Sequence, residues 1–99
     1  MVIGSGPGGY TAAFRAADLG LDVILVDKNQ KLGGVCLNRG CIPSKAYLHL
    51  SKIIDEAQEA KDIGLNFQNL SIDFEKIKLW KDTIINNLSS GIKSLAKQR

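Results

Sequence analysis

Cys36 and Cys41 are the only cysteines in a chain of 99 residues, and Leu-Asn-Arg-Gly separates them. A disulfide needs its two Cα atoms roughly 4.4–6.8 Å apart. Five extended residue steps would span roughly 17 Å, so the intervening chain has to fold back, and Asn38 and Gly40 suit a reversal. Pro43 suits the first turn of a helix that begins near Cys41 to Ser44. A thiol in that turn has its pKa lowered by the helix dipole, while Cys36, placed in the preceding loop, is expected to be the more accessible sulfur. Two sulfurs with different surroundings can divide the work, one exchanging with an external sulfur and the other facing an electron acceptor. Zinc would need about four ligands, and only His49 adds another soft donor. Two buried, inert cysteines are the plain alternative. A structural disulfide is disfavoured in a reducing compartment. His49 reads as a surface or packed residue.

A second pattern precedes the cysteines. Gly4-Ser-Gly6-Pro-Gly-Gly9 follows the short apolar stretch Met1-Val-Ile3 and continues as Ala13, Ala17 and Gly20. Gly4 permits a sharp strand-to-helix turn, Gly6 clears the approach of a pyrophosphate, and Gly9, Ala13 and Ala17 let the helix lie close to a sheet. The helix start then offers N–H groups and a positive dipole end to phosphates. Asp27, at the end of a second apolar run, is placed to accept hydrogen bonds from an adenosine ribose. A lone glycine pattern is weak, but here the strand, the helix, the small packing residues and the acid all stand at the required distances. The alternative is a glycine-rich turn without a ligand. The motif does not separate NAD from FAD.

These residues need elements to hold them. The sequence predicts a strand ending at Ile3, a turn over Gly4 to Gly9, a helix from Tyr10 to Leu19 stopped by Gly20, and a strand from Leu21 to Asp27. Its run Val23 to Val26 is what a strand covered on both faces requires. The unit is βαβ, hence parallel. Lys28 to Gly40 reads as loop. Ala46, Leu50, Ile53, Ile54, Ala57 and Ala60 then form one helical stripe, broken at Asp62 to Asn66, and Leu65 to Ile72 reads as a connection. Asp73 caps a last helix whose stripe is Ile77, Trp80, Ile84, Leu88, Ile92 and Leu95, with Gly91 inside it. The first strand is short and the last helix lacks a partner strand, so the chain reads as part of something larger.

Composition narrows the function. The chain is 44% hydrophobic and 23% charged, with a formal net charge of +3, as expected for one globular unit with lysines on solvated faces. No basic block or basic–aromatic interleaving suggests nucleic acid. The longest aliphatic run, Val23 to Val26, is far short of the ~20 residues of a membrane span. The start lacks a signal-peptide pattern, and a cytoplasmic compartment is expected.

Gly33-Gly-Val-Cys-Leu-Asn-Arg-Gly-Cys-Ile-Pro-Ser-Lys45, set after Gly4-Ser-Gly-Pro-Gly-Gly9 and Asp27, resembles the pyridine nucleotide–disulfide oxidoreductases. Leu-Asn-Arg between the cysteines and Ile-Pro-Ser-Lys after them look most like the members that oxidise dihydrolipoamide. Glutathione and mercuric reductases, the nearest alternative, usually carry Val-Asn-Val in the first place. The resemblance implies an α/β, Rossmann-like FAD-binding βαβ unit with parallel strands, followed by two long amphipathic helices. Residues 1–99 would be the N-terminal part of an FAD-binding domain, with the NAD and interface domains absent. It implies FAD, with its pyrophosphate over Gly4, Gly6, Pro7, Gly8 and Gly9 and its ribose at Asp27. Lys28, Gly33, Gly34, Val35 and Cys36 would line the cofactor, with Lys45 near the flavin. Cys36 would exchange with dihydrolipoamide carried on a lipoyl domain of a 2-oxo acid dehydrogenase complex. Cys41 would contact the flavin, and electrons would pass to NAD+. The parent would be a homodimer whose interface domain supplies a His–Glu base, which nothing after Lys45 replaces. Two residues depart from the pattern: Asp27 stands where Glu is usual, and Val35 where Thr is common. The rival reading of the isolated chain is a non-catalytic nucleotide-binding module that associates through open sheet edges and bare helix stripes.

Overall fold

A computed structural model describes residues 1–99. Strand β1 (Val2–Ile3) leads through the glycine-rich turn into helix α1 (Pro7–Asp18) and back to strand β2 (Leu25–Val26). β1 and β2 are parallel, with Val2 opposite Leu25 and Ile3 opposite Val26. Val2 N–H donates to the Ile24 carbonyl at 2.8 Å, and Gly4 N–H to that of Val26 at 2.7 Å. Helix α2 (Gly34–Arg39), helix α3 (Cys41–Glu59) with a 3₁₀ turn at Ala60–Ile63, and helix α4 (Phe74–Lys97) follow. The parallel βαβ unit and the two long helices match the sequence expectation.

Several boundaries differ, each for a local reason. α1 starts at Pro7, three residues before the expected Tyr10. Pro7 occupies the first helical position and Gly6 is the extended N-cap. Proline's fixed φ and missing N–H suit that position, and this outweighs the poor helix propensity of Gly8 and Gly9. The segment expected as loop up to Gly40 contains α2. The Asn38 side-chain amide donates to the carbonyls of Gly34 at 2.9 Å and Leu32 at 3.3 Å, so Asn38 ties a helical turn together, and the reversal falls at Gly40 alone. α3 then begins at Cys41, as expected. β2 is shorter than Leu21 to Asp27 and is not covered on both faces: α1 packs on one side, while Ile24 is 65% exposed on the other.

The last helix is rotated relative to its expected stripe. Asp73 does cap it, accepting from the Lys76 N–H at 3.1 Å. Its buried side chains, however, are Ile85, Ser89 and Ile92. Ile85 and Ile92 join Leu37 in the core, against Tyr10, Phe14, Leu32 and Ile42. Trp80, Leu88 and Leu95 stay exposed. The polar Ser89 hides this face from hydrophobic periodicity: it is buried because its hydroxyl donates to the Leu32 carbonyl at 3.1 Å. Arg99 closes the far end of the helix on α1, with Nε 2.8 Å and Nη2 3.1 Å from the two Asp18 carboxylate oxygens and its guanidinium 5.0 Å from the Phe14 ring centre.

Only eight residues are buried. The radius of gyration is 18.9 Å, against about 13 Å for a compact unit of this length. The difference comes from α3 and α4, which extend beyond the core with apolar side chains uncovered. No helix is long and apolar enough to cross a membrane.

Candidate functional site

Three segments distant in sequence meet at Ser5, which has no exposed surface. Its N–H and its hydroxyl both donate to Asp27 Oδ2 at 2.6 Å. Its carbonyl accepts from Gly33 N–H at 2.9 Å. The turn before α1, the residue after β2 and the start of the cysteine segment therefore share one residue's polar groups. Buried backbone groups need partners, and here each partner is a neighbouring part of the site.

Backbone approaches tighten this junction. A Cβ on Gly9 would collide with the Gly4 carbonyl oxygen, so α1 can lie this close to the end of β1 only with glycine there. Gly34, with φ of +62°, rests against Gly6: a Cβ would stand 2.6 Å from the Gly6 Cα. The cysteine-bearing helix α2 is thereby seated directly on the glycine-rich turn. At the exposed start of α1, Gly6 caps the helix without a side-chain hydrogen bond, no acid stands in the first turn, and a Cβ on Gly6 or Gly8 would meet no atom within 4 Å. A helix start leaves backbone N–H groups unsatisfied at the positive end of its dipole. An anionic phosphate fits this end of the helix, and the residues present agree with a dinucleotide in that respect.

The two cysteines lie on either side of the Gly40 corner, Cys36 in α2 and Cys41 as the first residue of α3. Their exposures reverse the sequence expectation: Cys36 is half-buried and Cys41 exposed. The reason is α2, which turns Cys36 inward where a loop would have left it open. The Cys36 thiol is pushed above its ordinary value, chiefly by its hydrogen bond with the Cys41 sulfur and then by burial and the Cys41 charge. The Cys41 backbone N–H and the Lys45 ammonium act in the opposite direction. The two sulfurs thus sense each other across the corner, with Lys45 one helical turn beyond Cys41.

Asp27 is ringed by donors. Besides the two from Ser5, Asn29 gives its N–H at 2.7 Å and its side-chain amide at 3.0 Å to Oδ1. These bonds, led by the Ser5 hydroxyl, hold the carboxyl far below the usual carboxylate range. Lys28, which follows it, and Val35 are exposed. His49 stands with its ring 6.4 Å from that of Trp80.

Sequence reasoning missed Ser5, Asn29 and Ser89. Asn29 was findable, since an Asp two residues before a backbone N–H is an Asx-turn signal. Ser5 and Ser89 carry no local signal, because their partners lie 22 and 57 residues away. Next to the junction, a polar cleft of about 490 Å³ is lined by Lys31, Asn38, Arg39, Asp82 and Asn86 among others.

A family model described as pyridine nucleotide-disulphide oxidoreductase matches residues 1–99. The chain belongs to that family of flavin- and nucleotide-dependent oxidoreductases. Within it, the chain is similar to the dihydrolipoyl dehydrogenase of Buchnera aphidicola from Acyrthosiphon pisum, 57% identical over 99 residues, which is all of this chain and 21% of that protein. It is also similar to the dihydrolipoyl dehydrogenase of Vibrio parahaemolyticus, at 54% over the same shares. The Staphylococcus aureus dihydrolipoyl dehydrogenase is 50% identical over 97 residues, 98% of this chain and 20% of that protein. The chain spans about a fifth of the length of these relatives.

Proposed function

We propose that residues 1–99 are the N-terminal part of the FAD-binding domain of a dihydrolipoyl dehydrogenase. The observation that carries this reading is the seating of the cysteine segment on the glycine-rich turn, through Gly33 N–H to the Ser5 carbonyl and Gly34 against Gly6. A dithiol and a dinucleotide turn locked together serve an enzyme that moves electrons between sulfur and a nucleotide cofactor.

In this reading the start of α1, from Gly4 through Pro7 to Gly9, holds the FAD pyrophosphate. Asp27 and Lys28 border the ribose end, and Gly33 to Cys36 with Cys41 and Lys45 border the flavin end. The chemistry the flavin supplies when bound is relay of an electron pair from the dithiol to NAD+, whose site lies outside these residues. The chain's own step is sulfur exchange. A thiolate of dihydrolipoamide attacks Cys36, and the Cys36–Cys41 bond breaks with Cys41 leaving as thiolate. The second substrate thiol then displaces Cys36, so the substrate closes to its disulfide and the protein keeps both electrons as a dithiol. Lys45 stabilises negative charge on the sulfurs. Cys36 takes the exchanging role from the motif, although it is the less exposed of the two sulfurs. The lipoyl domain of a 2-oxo acid dehydrogenase complex is the proposed partner, in a homodimeric parent and a reducing, cytoplasmic compartment.

The test is turnover of the full-length protein. NAD+ reduction is expected with dihydrolipoamide and not with glutathione, and Cys36→Ser should lower kcat by about 10⁴-fold. Equal activity with glutathione would move the protein to the glutathione reductase branch.

A further inference from the structure

A hydroxyl inside a helix commonly turns back to the carbonyl four residues earlier. Thr83 and Ser44 do so, toward Leu79 at 2.9 Å and Gly40 at 2.7 Å. Ser89 does not. Its hydroxyl leaves α4 and donates to the Leu32 carbonyl at 3.1 Å, from a residue only 7% exposed. Ile85 and Ile92, one turn away on either side, pack with Leu37 of α2. The bond is therefore made within the small core.

The carbonyl belongs to the Leu32–Gly33 peptide, where bonds from three parts of the molecule converge. The oxygen also accepts from the Asn38 side-chain amide at 3.3 Å. At the other edge of the same peptide plane, the Gly33 N–H donates to the Ser5 carbonyl at 2.9 Å. Gly33 is buried, with φ of +110°, and Gly34 has φ of +62°. Glycine takes either sign of φ at little cost, so the backbone itself does not fix which way this peptide faces. Turned over, it would set its oxygen against the Ser5 carbonyl, acceptor to acceptor, and leave its N–H buried without a partner. It would also release the bond that seats α2 on the glycine-rich turn. Of the two side chains on the oxygen, Asn38 belongs to the cysteine segment itself, whereas Ser89 reaches it from 57 residues away.

We propose that Ser89 is a positioning residue for the dithiol: by holding the Leu32–Gly33 peptide in its orientation, it keeps the start of α2, and with it Cys36, in place on the glycine-rich turn. This rests on the flavin–dithiol reading given above. α4 then acts on the sulfur chemistry through one hydroxyl and one peptide group.

The experiment uses the full-length protein as purified, comparing the unaltered chain with Ser89→Ala, Ser89→Thr and Ser90→Ala. Hydrogen exchange over Leu32 to Leu37 gives a reading independent of turnover. It is expected to quicken about fivefold in Ser89→Ala, the loss of about one hydrogen bond. After two-electron reduction, the thiolate–flavin absorbance of Ser89→Ala should be weakened. Its kcat with dihydrolipoamide should fall by a similar factor, about fivefold, while KM for NAD+ stays unchanged. Ser89→Thr keeps the hydroxyl and is expected to recover all three readings. Ser90→Ala, on the exposed face beside it, should alter none. Ser89→Ala with lowered thermal stability but unchanged exchange and absorbance would make Ser89 a packing residue and overturn the proposal. Absence of the thiolate–flavin absorbance from the unaltered protein would instead sink the proposed function, and the exchange comparison would still decide whether Ser89 holds the peptide.

Discussion

From Val2 to Cys41 the chain is tied by hydrogen bonds that span long stretches of sequence: Ser5 to Asp27, Gly33 to Ser5, Gly4 to Val26. From Tyr47 to Arg99 nearly all backbone bonding is internal to two helices, and the links back to the first region are few, among them Ser89 to Leu32, Lys31 to Asn86 and Arg99 to Asp18. The first region holds its geometry through directional bonds at a buried residue. The second presents amphipathic faces, of which one is covered and the others are not. A precise site thus coexists with an extended body because the bonds that shape the site do not depend on a large core.

The strongest way to break the comparison is at the backbone contacts of the first region. Gly9→Val should remove flavin binding in the full-length protein and cost about 3 kcal/mol or more in thermal unfolding, because α1 must move off Gly4. In the second region, the buried and exposed faces of α4 should separate. Ile92→Ala should cost about 2–4 kcal/mol by leaving a cavity against Leu37 and Ile85. In the isolated 99-residue chain, Leu88→Lys with Leu95→Lys should reduce self-association on gel filtration. Without those changes the isolated chain is expected to associate and to retain FAD poorly; a soluble monomer carrying stoichiometric flavin would contradict this.

Acid should weaken the first region selectively. The folded pKa of Asp27 is depressed below its ordinary value of 3.8, so its hydrogen bonds with Ser5 and Asn29 contribute their full stability above that value and lose it as pH falls further toward the depressed pKa. Acid unfolding of Asp27→Asn is expected to lose part of its pH dependence below about pH 4, and an unchanged acid limb would show that the bonds from Ser5 and Asn29 to Asp27 are not coupled to folding. The smallest effect belongs to the α4 cap. Asp73→Ala removes the hydrogen bond to Lys76 N–H and should cost about 1 kcal/mol in thermal unfolding.

The two regions also differed in how legible they were. Gly4, Gly6, Gly9, Asp27 and the start of α3 at Cys41 could be read from sequence, because the turn, close-packing and helix-start requirements are local. Asp73 was legible for the same reason. The buried face of α4 was not: its central residue is Ser89, buried by a bond to Leu32, so the apolar period chose Leu88 and Leu95, which no part of this chain covers. α2 was hidden because Gly33 at its N-cap and Gly34 at its first position suggest loop, while the side-chain bonds that tie it as a helix come from Asn38. The covered strand expected at Val23 to Val26 reflects side chains suited to two layers, of which this chain supplies one.

The central claim is that the glycine-rich turn and the two cysteines form a single flavin–dithiol site with Cys41 at the flavin. Two-electron reduction of the full-length protein, followed by absorbance, tests it most directly. The unaltered protein is expected to develop a long-wavelength band from a thiolate beside the oxidised flavin, and Cys41→Ser is expected to lose that band while keeping its flavin. Persistence of the band in Cys41→Ser, with its loss in Cys36→Ser, would reverse the roles of the two sulfurs, and its absence from the unaltered protein would contradict the shared site.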